Sequence, residues 1–86
     1  MRYCALCGST EWIERHHIFG GALRKKSEKY GLLIDLCHYC HNEPPKGAHH
    51  NKETMLRLHQ YGQRKVMLEQ GWTVEDFRRE FYKSYL

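Results

Sequence analysis

Two C-x-x-C pairs constrain this chain more than any other feature of its sequence. Cys4 and Cys7 form the first pair, and Cys37 and Cys40 form the second. Paired C-x-x-C units are typical of zinc ligands when the chain shows no secretory signal, and the first residues, MRYCALCGST, contain no long apolar stretch. A zinc ion bound by both pairs would close the chain between Cys7 and Cys37. Disulfides or a redox C-x-x-C are the alternatives, and a redox site would need only one pair.

The length of the chain explains why such a closure matters. The chain has 86 residues, so we expect one domain over residues 1–86. A domain of this size buries only about 60–65% of its unfolded surface, and a metal, disulfides or a partner often stabilises it. No apolar run approaches the length of about 18 residues that a transmembrane helix needs. We therefore expect a zinc-stabilised protein of the reducing cytoplasm, with no membrane partner.

The charge of the chain is modestly basic, and its distribution is more informative than its total. The formal net charge is +4 with histidines neutral, which is weak support for nucleic-acid binding. The segment LRKKSEK, however, places Arg24, Lys25, Lys26 and Lys29 together. Such a run is usually a solvated loop. Its position between a histidine pair and the second cysteine pair favours contact with phosphates.

The first half of the chain predicts two strands. The segment EWIERHHIF (11–19) is the first candidate, Gly20 and Gly21 interrupt it, and YGLLIDLC (30–37) is the second. About ten residues of basic loop would join them, which predicts a hairpin with a long connection.

The second half predicts two helices. Pro44 and Pro45 exclude a continuous helix before Asn51, which is a suitable N-cap for a helix that ends at Gly71. Thr73 can cap a second helix, with Asp76 in the capping-box position. The expected apolar faces consist of Met55, Leu58, Gly62 and Val66 in the first helix and Val74, Phe77, Phe81 and Tyr85 in the second. We expect these aromatic rings to form core, Trp72 to pack in the bend, and His38 and His59 to be exposed.

Histidines outside the cysteine pairs form a second pattern. His16 and His17 end the first strand, His41 follows Cys40, and His49 and His50 precede the long helix. Zinc closure would bring these segments together. A divalent metal on neutral imidazoles can polarise a phosphodiester, and an unligated histidine can take a proton from water. Adjacent residues of a regular strand point to opposite faces, so both rings can serve one site only if the strand bends or ends there.

The pattern HHIFGG…LCHYCHN resembles the ββα-metal (His-Me finger) core of HNH endonucleases, in the zinc-stapled form with flanking C-x-x-C pairs. It is also similar to the small HNH proteins of phages and prophages. The motif itself spans residues 4 to about 60. The resemblance implies an α+β fold with a zinc-stapled ββα-metal core within residues 4–70. The second helix, expected within residues 72–86, is an additional C-terminal element outside the family motif.

The resemblance also implies a role for each matched residue. His17 matches the general base. His16 and His41 match ligands of a catalytic divalent metal, and His49, with His50 as its rival, matches the last ligand. The cysteines match the structural zinc set of Cys4, Cys7, Cys37 and Cys40, and the phosphate contacts would come from Arg15, Arg24, Lys25, Lys26 and Lys29.

One residue departs from the family pattern. The family has an asparagine on or near the second strand, which fixes the loop that carries the base, and Leu32 occupies the expected place here. Glu28, Tyr30 or Asp35 could fix that loop instead.

The implied activity is metal-dependent DNA cleavage, by nicking or as double-strand cleavage by a dimer, with low sequence specificity and with 5′-phosphate and 3′-hydroxyl products. The nitrogen-rich ligand set favours Mn²⁺, Ni²⁺, Co²⁺ or Zn²⁺ over Mg²⁺. A non-catalytic zinc module that binds DNA or a phage packaging or replication protein is the competing hypothesis. A third is that histidines and cysteines together form two structural zinc sites. The pattern leaves monomer and homodimer open.

Overall fold

The computed structural model describes residues 2–42, 47 and 50–86, and within them the chain forms a small α+β fold. Its elements, in chain order, are β1 (Ile13–His17), a 3₁₀ helix (Gly21–Leu23), α1 (Arg24–Lys29), β2 (Leu33–Cys37), α2 (His38–His41), α3 (Lys52–Gln70) and α4 (Val74–Phe81). The α+β class is confirmed, and the fold is compatible with a zinc-stapled ββα core followed by a C-terminal helix. None of the helices in the described ranges has the length and apolarity needed to span a bilayer.

The two strands form the predicted antiparallel hairpin. Ile13 lies opposite Cys37, and His17 lies opposite Leu33. Beyond the strands, the N–H of Ile18 donates to the carbonyl of Leu32 at 3.0 Å. Both strands are shorter than the predicted segments, and His16 and His17 lie at the end of the hairpin where the connection between the strands begins.

The prediction of a basic loop between the strands is wrong, because the connection is helical. α1 contains the whole basic run, whose Arg, Lys and Glu residues have good helix propensity. Ser27 anchors the helix: it is fully buried, and its hydroxyl donates to the carbonyl of Phe19 at 2.7 Å and accepts from the N–H of Phe19 at 2.9 Å.

Helix α3 begins and ends as predicted. The side chain of Asn51 accepts from the N–H of Thr54 at 3.0 Å, and Gly71 ends the helix with a left-handed backbone (φ 67°). At Gly62 the helix lies so close to the hairpin that an added Cβ would be 2.6 Å from Cγ2 of Ile18 and 3.0 Å from Cε2 of Phe19. This glycine therefore allows α3 to pack directly against the two residues after His17.

Helix α4 has the predicted cap but is shorter than predicted. Thr73 and Asp76 form a capping box, and the helix ends at Phe81 because Tyr82 adopts a left-handed backbone (φ 72°). Tyr85 still packs on Phe19, with ring centroids 5.5 Å apart, and its N–H donates to the buried amide of Gln63 at 2.7 Å.

Two apolar clusters organise the fold. The aromatic core contains Ile18, Phe19, Leu32, Val66, Phe77 and Phe81, with Trp72 at its edge. The smaller cluster contains Cys4, Leu36, Cys37 and Leu58. The hairpin bridges them, because β1 leads into the aromatic core and β2 leads into the second cysteine pair.

Candidate metal centre and histidine cleft

The four cysteines form one compact group, here called the cysteine cluster. The sulfur atoms of Cys4, Cys7, Cys37 and Cys40 all lie within 4.8 Å of one another. The Sγ atoms of Cys7 and Cys37 are 3.6 Å apart. A tetrahedral zinc site with Zn–S bonds of about 2.3 Å has sulfur–sulfur distances of about 3.8 Å. The donor set and its size therefore fit a metal such as zinc.

The backbone around the cysteine cluster favours a thiolate at Cys4. Burial opposes ionisation of Cys4, but the N–H groups of Cys37, Cys7 and Leu6 and the Cys7 thiol outweigh it and lower the pKa of Cys4 to about 6. Burial, followed by the neighbouring sulfurs, raises the pKa of Cys40. Four sulfurs this close resist joint ionisation, which is the condition that a divalent cation relieves.

His16, His17 and His41 line one cleft. This histidine cleft has a volume of about 360 Å³, and its walls are formed by Arg15, His16, His17, Gly20, Gly21, Arg24 and His41. The rings of His16 and His41 are 5.0 Å apart between centroids and inclined by 72°. The two adjacent histidines reach the same cleft because β1 ends at His17 and the glycines turn the chain immediately afterwards.

A carboxylate that sequence reasoning missed orients His41. The Nδ1–H of His41 donates to Glu14 at 2.9 Å, and the Asn42 amide donates to the same carboxylate oxygen at 3.0 Å. The His41 bond is the main cause that lowers the pKa of Glu14. With Nδ1 protonated, the lone pair of His41 is on Nε2, which is the candidate ligand atom. The signal for Glu14 was its position two residues before His16, on the same face of β1.

His38 also departs from the prediction of an exposed residue. It is partly buried, and its Nδ1 lies 3.2 Å from the other oxygen of Glu14. Glu14 therefore joins both histidines of α2 to β1, which ties the second cysteine pair to the strand that carries His16.

Glu28 holds the proposed base. Its Oε1 accepts from Nε2 of His17 at 3.0 Å, and this bond is the main cause that lowers the pKa of Glu28. The other two groups predicted as substitutes have different partners, because Tyr30 donates to Glu80 at 3.1 Å and Asp35 accepts from Arg2 at 3.0 Å.

An apolar residue, Leu32, occupies the position where the HNH pattern has an asparagine. Leu32 is fully buried in the aromatic core. The backbone after His17 is held instead by the Ser27 hydroxyl through Phe19. Sequence reasoning missed Ser27, since a serine inside a basic run reads as a surface residue.

The last predicted ligand is His49 or His50. His49 lies outside the described residues. His50 is exposed and lines a separate cleft with Asn51, His59 and Lys83. The predicted metal ligands that the structure places together are thus His16 and His41.

The predicted phosphate-binding residues divide into two groups. Arg15 and Arg24 are exposed and line the histidine cleft, although Arg15 also lies 3.7 Å from Asp35. Lys26 instead donates to the carbonyl of Glu80 in α4 and lies over the Tyr82 ring. Lys25 is exposed, and Lys29 lies over the ring of its neighbour, Tyr30.

Comparison of the chain with protein-family models, with curated proteins and with solved structures found no match. The functional interpretation of the histidine cleft therefore depends on its geometry and chemistry.

Proposed function

We propose that this protein is a metal-dependent DNA endonuclease of the HNH type, with its active site in the histidine cleft. The observation that carries the proposal is the convergence of His16, His17 and His41 beside Arg15 and Arg24. Metal-assisted phosphodiester hydrolysis uses metal ligands, a general base and groups that hold the phosphate. The cleft offers a pair of candidate ligands, a separately held candidate base and exposed guanidinium groups.

His17 is the general base in this proposal. Because Glu28 accepts from Nε2–H of His17, the lone pair of the imidazole is on Nδ1. Nδ1 takes a proton from water as the water oxygen bonds to phosphorus and the bond from phosphorus to the 3′ oxygen breaks, and the leaving 3′ oxygen takes a proton from solvent. Glu28 stabilises the imidazolium that results and keeps the ring oriented.

His16 and His41 are the proposed ligands of the catalytic metal, with His49 as a third. A divalent metal bound there would neutralise charge on a non-bridging phosphate oxygen and on the leaving oxygen. Glu14 keeps the His41 ring in the tautomer and orientation that ligation needs. The metal in the cysteine cluster, zinc in this proposal, is structural and performs no chemistry.

Arg15 and Arg24 are the proposed phosphate contacts. Such contacts give affinity that weakens with salt and depends little on base sequence. Arg24→Ala should lower duplex affinity and reduce the magnitude of the salt slope by about 0.9 if one phosphate contact is lost. Lys26→Ala, the matched control, should leave the slope unchanged and lower the melting temperature, because Lys26 binds α4.

Supercoiled-plasmid nicking tests the proposal. Zinc-loaded protein is assayed with added Mn²⁺, Ni²⁺, Co²⁺ or Mg²⁺ and without added metal. We expect nicks with 5′-phosphate and 3′-hydroxyl ends, formed faster with Mn²⁺, Ni²⁺ or Co²⁺ than with Mg²⁺ because the proposed ligands are nitrogen atoms. Preference for Mg²⁺ would contradict the ligand set, and absence of nicking under every condition would contradict the function.

A non-catalytic zinc module that binds DNA or a phage protein is the second candidate, and one observation favours it. Leu32 occupies the place where HNH nucleases carry asparagine, and its side chain makes core rather than a polar contact. Duplex binding with no nicking in any metal would favour this candidate.

A further inference from the structure

Trp12 is held in a conformation that bulky residues rarely adopt. It lies at the bend before β1 with a left-handed backbone (φ 52°). Its carbonyl accepts from the N–H of His38 at 2.9 Å, which secures that bend against α2. Backbone strain of this kind persists where the surroundings enforce it, and it clusters at functional sites.

The strained backbone presents an indole ring to solvent. The ring stacks on His38, with centroids 3.9 Å apart and planes inclined by 7°. Tyr39 meets the same indole edge-on at 6.2 Å. Trp12 nevertheless remains 61% exposed and Tyr39 62% exposed. One face of the indole is therefore covered by His38, and the opposite face is available for a further flat ring.

This aromatic platform, consisting of Trp12, His38 and Tyr39, is linked to the histidine cleft through Glu14. His38 contacts Glu14, Glu14 binds His41, and the His41 ring lies 5.0 Å from that of His16. Trp12 directly precedes β1, and four residue steps of at most about 3.3 Å each place its Cα within roughly 13 Å of that of His16. A strand whose phosphates contact Arg15 in the cleft can therefore reach the platform within a few nucleotides.

We propose that Trp12, backed by His38 and flanked by Tyr39, stacks on an unpaired nucleobase of the strand that occupies the histidine cleft. The placement of the strand rests on the proposed function. A nucleobase is the occupant favoured here because the platform offers a flat, pre-stacked ring and the nearby cleft offers exposed guanidinium groups, which is the combination that single-stranded nucleic acids bind. The site thus favours unpaired or frayed DNA over regular duplex.

Fluorescence of Trp12 tests the platform directly. Trp72→Phe leaves Trp12 as the sole tryptophan while retaining a ring against Tyr30. The zinc-loaded variant is titrated, without added divalent metal, with an oligothymidylate, the same backbone lacking bases, a duplex, and heparin. We expect quenching by the oligothymidylate and little by the base-free strand or heparin. Equal quenching by all four probes would overturn the proposal, because charge alone would then account for binding.

Trp12→Asn separates stacking from folding, since asparagine accepts the left-handed backbone without a bulky ring. We expect it to retain zinc and its melting temperature, to lose about tenfold in affinity for the oligothymidylate, and to bind duplex within about twofold of the parent. Unchanged single-strand affinity would overturn the proposal. If the variant loses zinc, Trp12 supports the second cysteine pair, and its affinity for DNA is then not a test of stacking. The quenching titration of the Trp72→Phe variant, whose platform is intact, then tests the proposal.

The two proposals fail in different ways. Nicking by the parent without base-dependent quenching would refute the platform and leave the nuclease. Base-dependent quenching without nicking in any metal would refute the nuclease and leave a single-strand binding site.

Discussion

The aromatic core and the cysteine cluster stabilise opposite ends of the same hairpin by different means. The aromatic core is closed by large apolar side chains, among them Phe19, Phe77 and Phe81, all at most 1% exposed. Around the cysteine cluster, the buried apolar cluster contains two leucines, Leu36 and Leu58, together with two of the cysteines. One end can therefore fold by hydrophobic burial, whereas we expect the other to depend on a metal held by the cysteines.

The histidine cleft lies where these two ends meet. His17 is followed directly by Ile18 and Phe19 of the aromatic core, and His41 is preceded directly by Cys40 of the cysteine cluster. Damage at either end should therefore disturb the cleft, while each end should retain its own stabilising interaction when the other is damaged.

Removal of the metal should have the largest effect. Structural zinc contributes apparent binding free energies of about 10–16 kcal/mol in small zinc domains, which exceeds the stability of most domains of this length. We expect chelation or Cys37→Ser to remove the protection of the hairpin amides against hydrogen exchange. Added zinc should restore this protection in the chelated parent and not in Cys37→Ser. An unchanged melting temperature after complete zinc removal would contradict this account of the cysteine end.

Phe77→Ala should have the next largest effect, and it should act at the other end. Removing a fully buried ring typically costs about 3–5 kcal/mol of unfolding free energy. We expect the variant to keep one zinc per chain at low temperature while losing that stability in chemical denaturation. Val74→Ala, on the exposed side of the same helix, is the matched control and should cost much less. Joint loss of zinc and stability would show that the two ends are not separable.

Gly62→Ala should have a smaller effect on stability and a larger one on the cleft. The added Cβ would meet Ile18 at 2.6 Å, and overpacking of about 1–3 kcal/mol opposes a helix-propensity gain of about 1 kcal/mol. If the backbone after His17 moves by about 1 Å, nicking should fall by about 100-fold. Leu68→Ala, on the exposed face of α3, is the control. Normal nicking by Gly62→Ala would show that the aromatic core does not position the base.

His59 should give the smallest effect, as a change in pH dependence. It is half-buried and stacks on Phe19 with centroids 5.1 Å apart, and this burial is the main cause that lowers the pKa of His59. The unfolded chain therefore takes up the proton first, and the fold loses stability as pH falls through about 6.5. His59→Gln removes this titration, so the difference in melting temperature between parent and variant should shift in favour of the variant between pH 7.5 and 5.5. A difference that is constant over this range would contradict the burial of His59.

The elements of this fold follow from local signals that a sequence displays. The helix caps at Asn51, Gly71 and Thr73 and the antiparallel hairpin are where the pattern predicts them. The prediction of a basic loop between the strands was wrong, because the helix found there depends on a buried serine that contacts a residue eight positions away. Local patterns contain no information about such a contact.

The sequence predicted the histidines of the candidate site, but it did not predict the residues that orient them. Adjacent histidines beside a C-x-x-C-H segment identify His16, His17 and His41 as candidates. Glu14 shares a strand face with His16, but this position does not reveal its role, because its partners are 24 to 28 residues away and a glutamate on a strand is ordinarily solvated. The prediction that His59 is exposed was also wrong, since its burial depends on where Phe19 meets α3.

The most direct measurement is the rate of plasmid nicking by His17→Ala, compared with parent protein and with His59→Gln at matched zinc content in Mn²⁺. His59→Gln removes a histidine outside the histidine cleft and controls for general damage. We expect the parent and His59→Gln to nick at similar rates and His17→Ala to be slower by about 100-fold or more. Equal nicking by all three proteins would contradict the assignment of His17 as the base and of the histidine cleft as the active site.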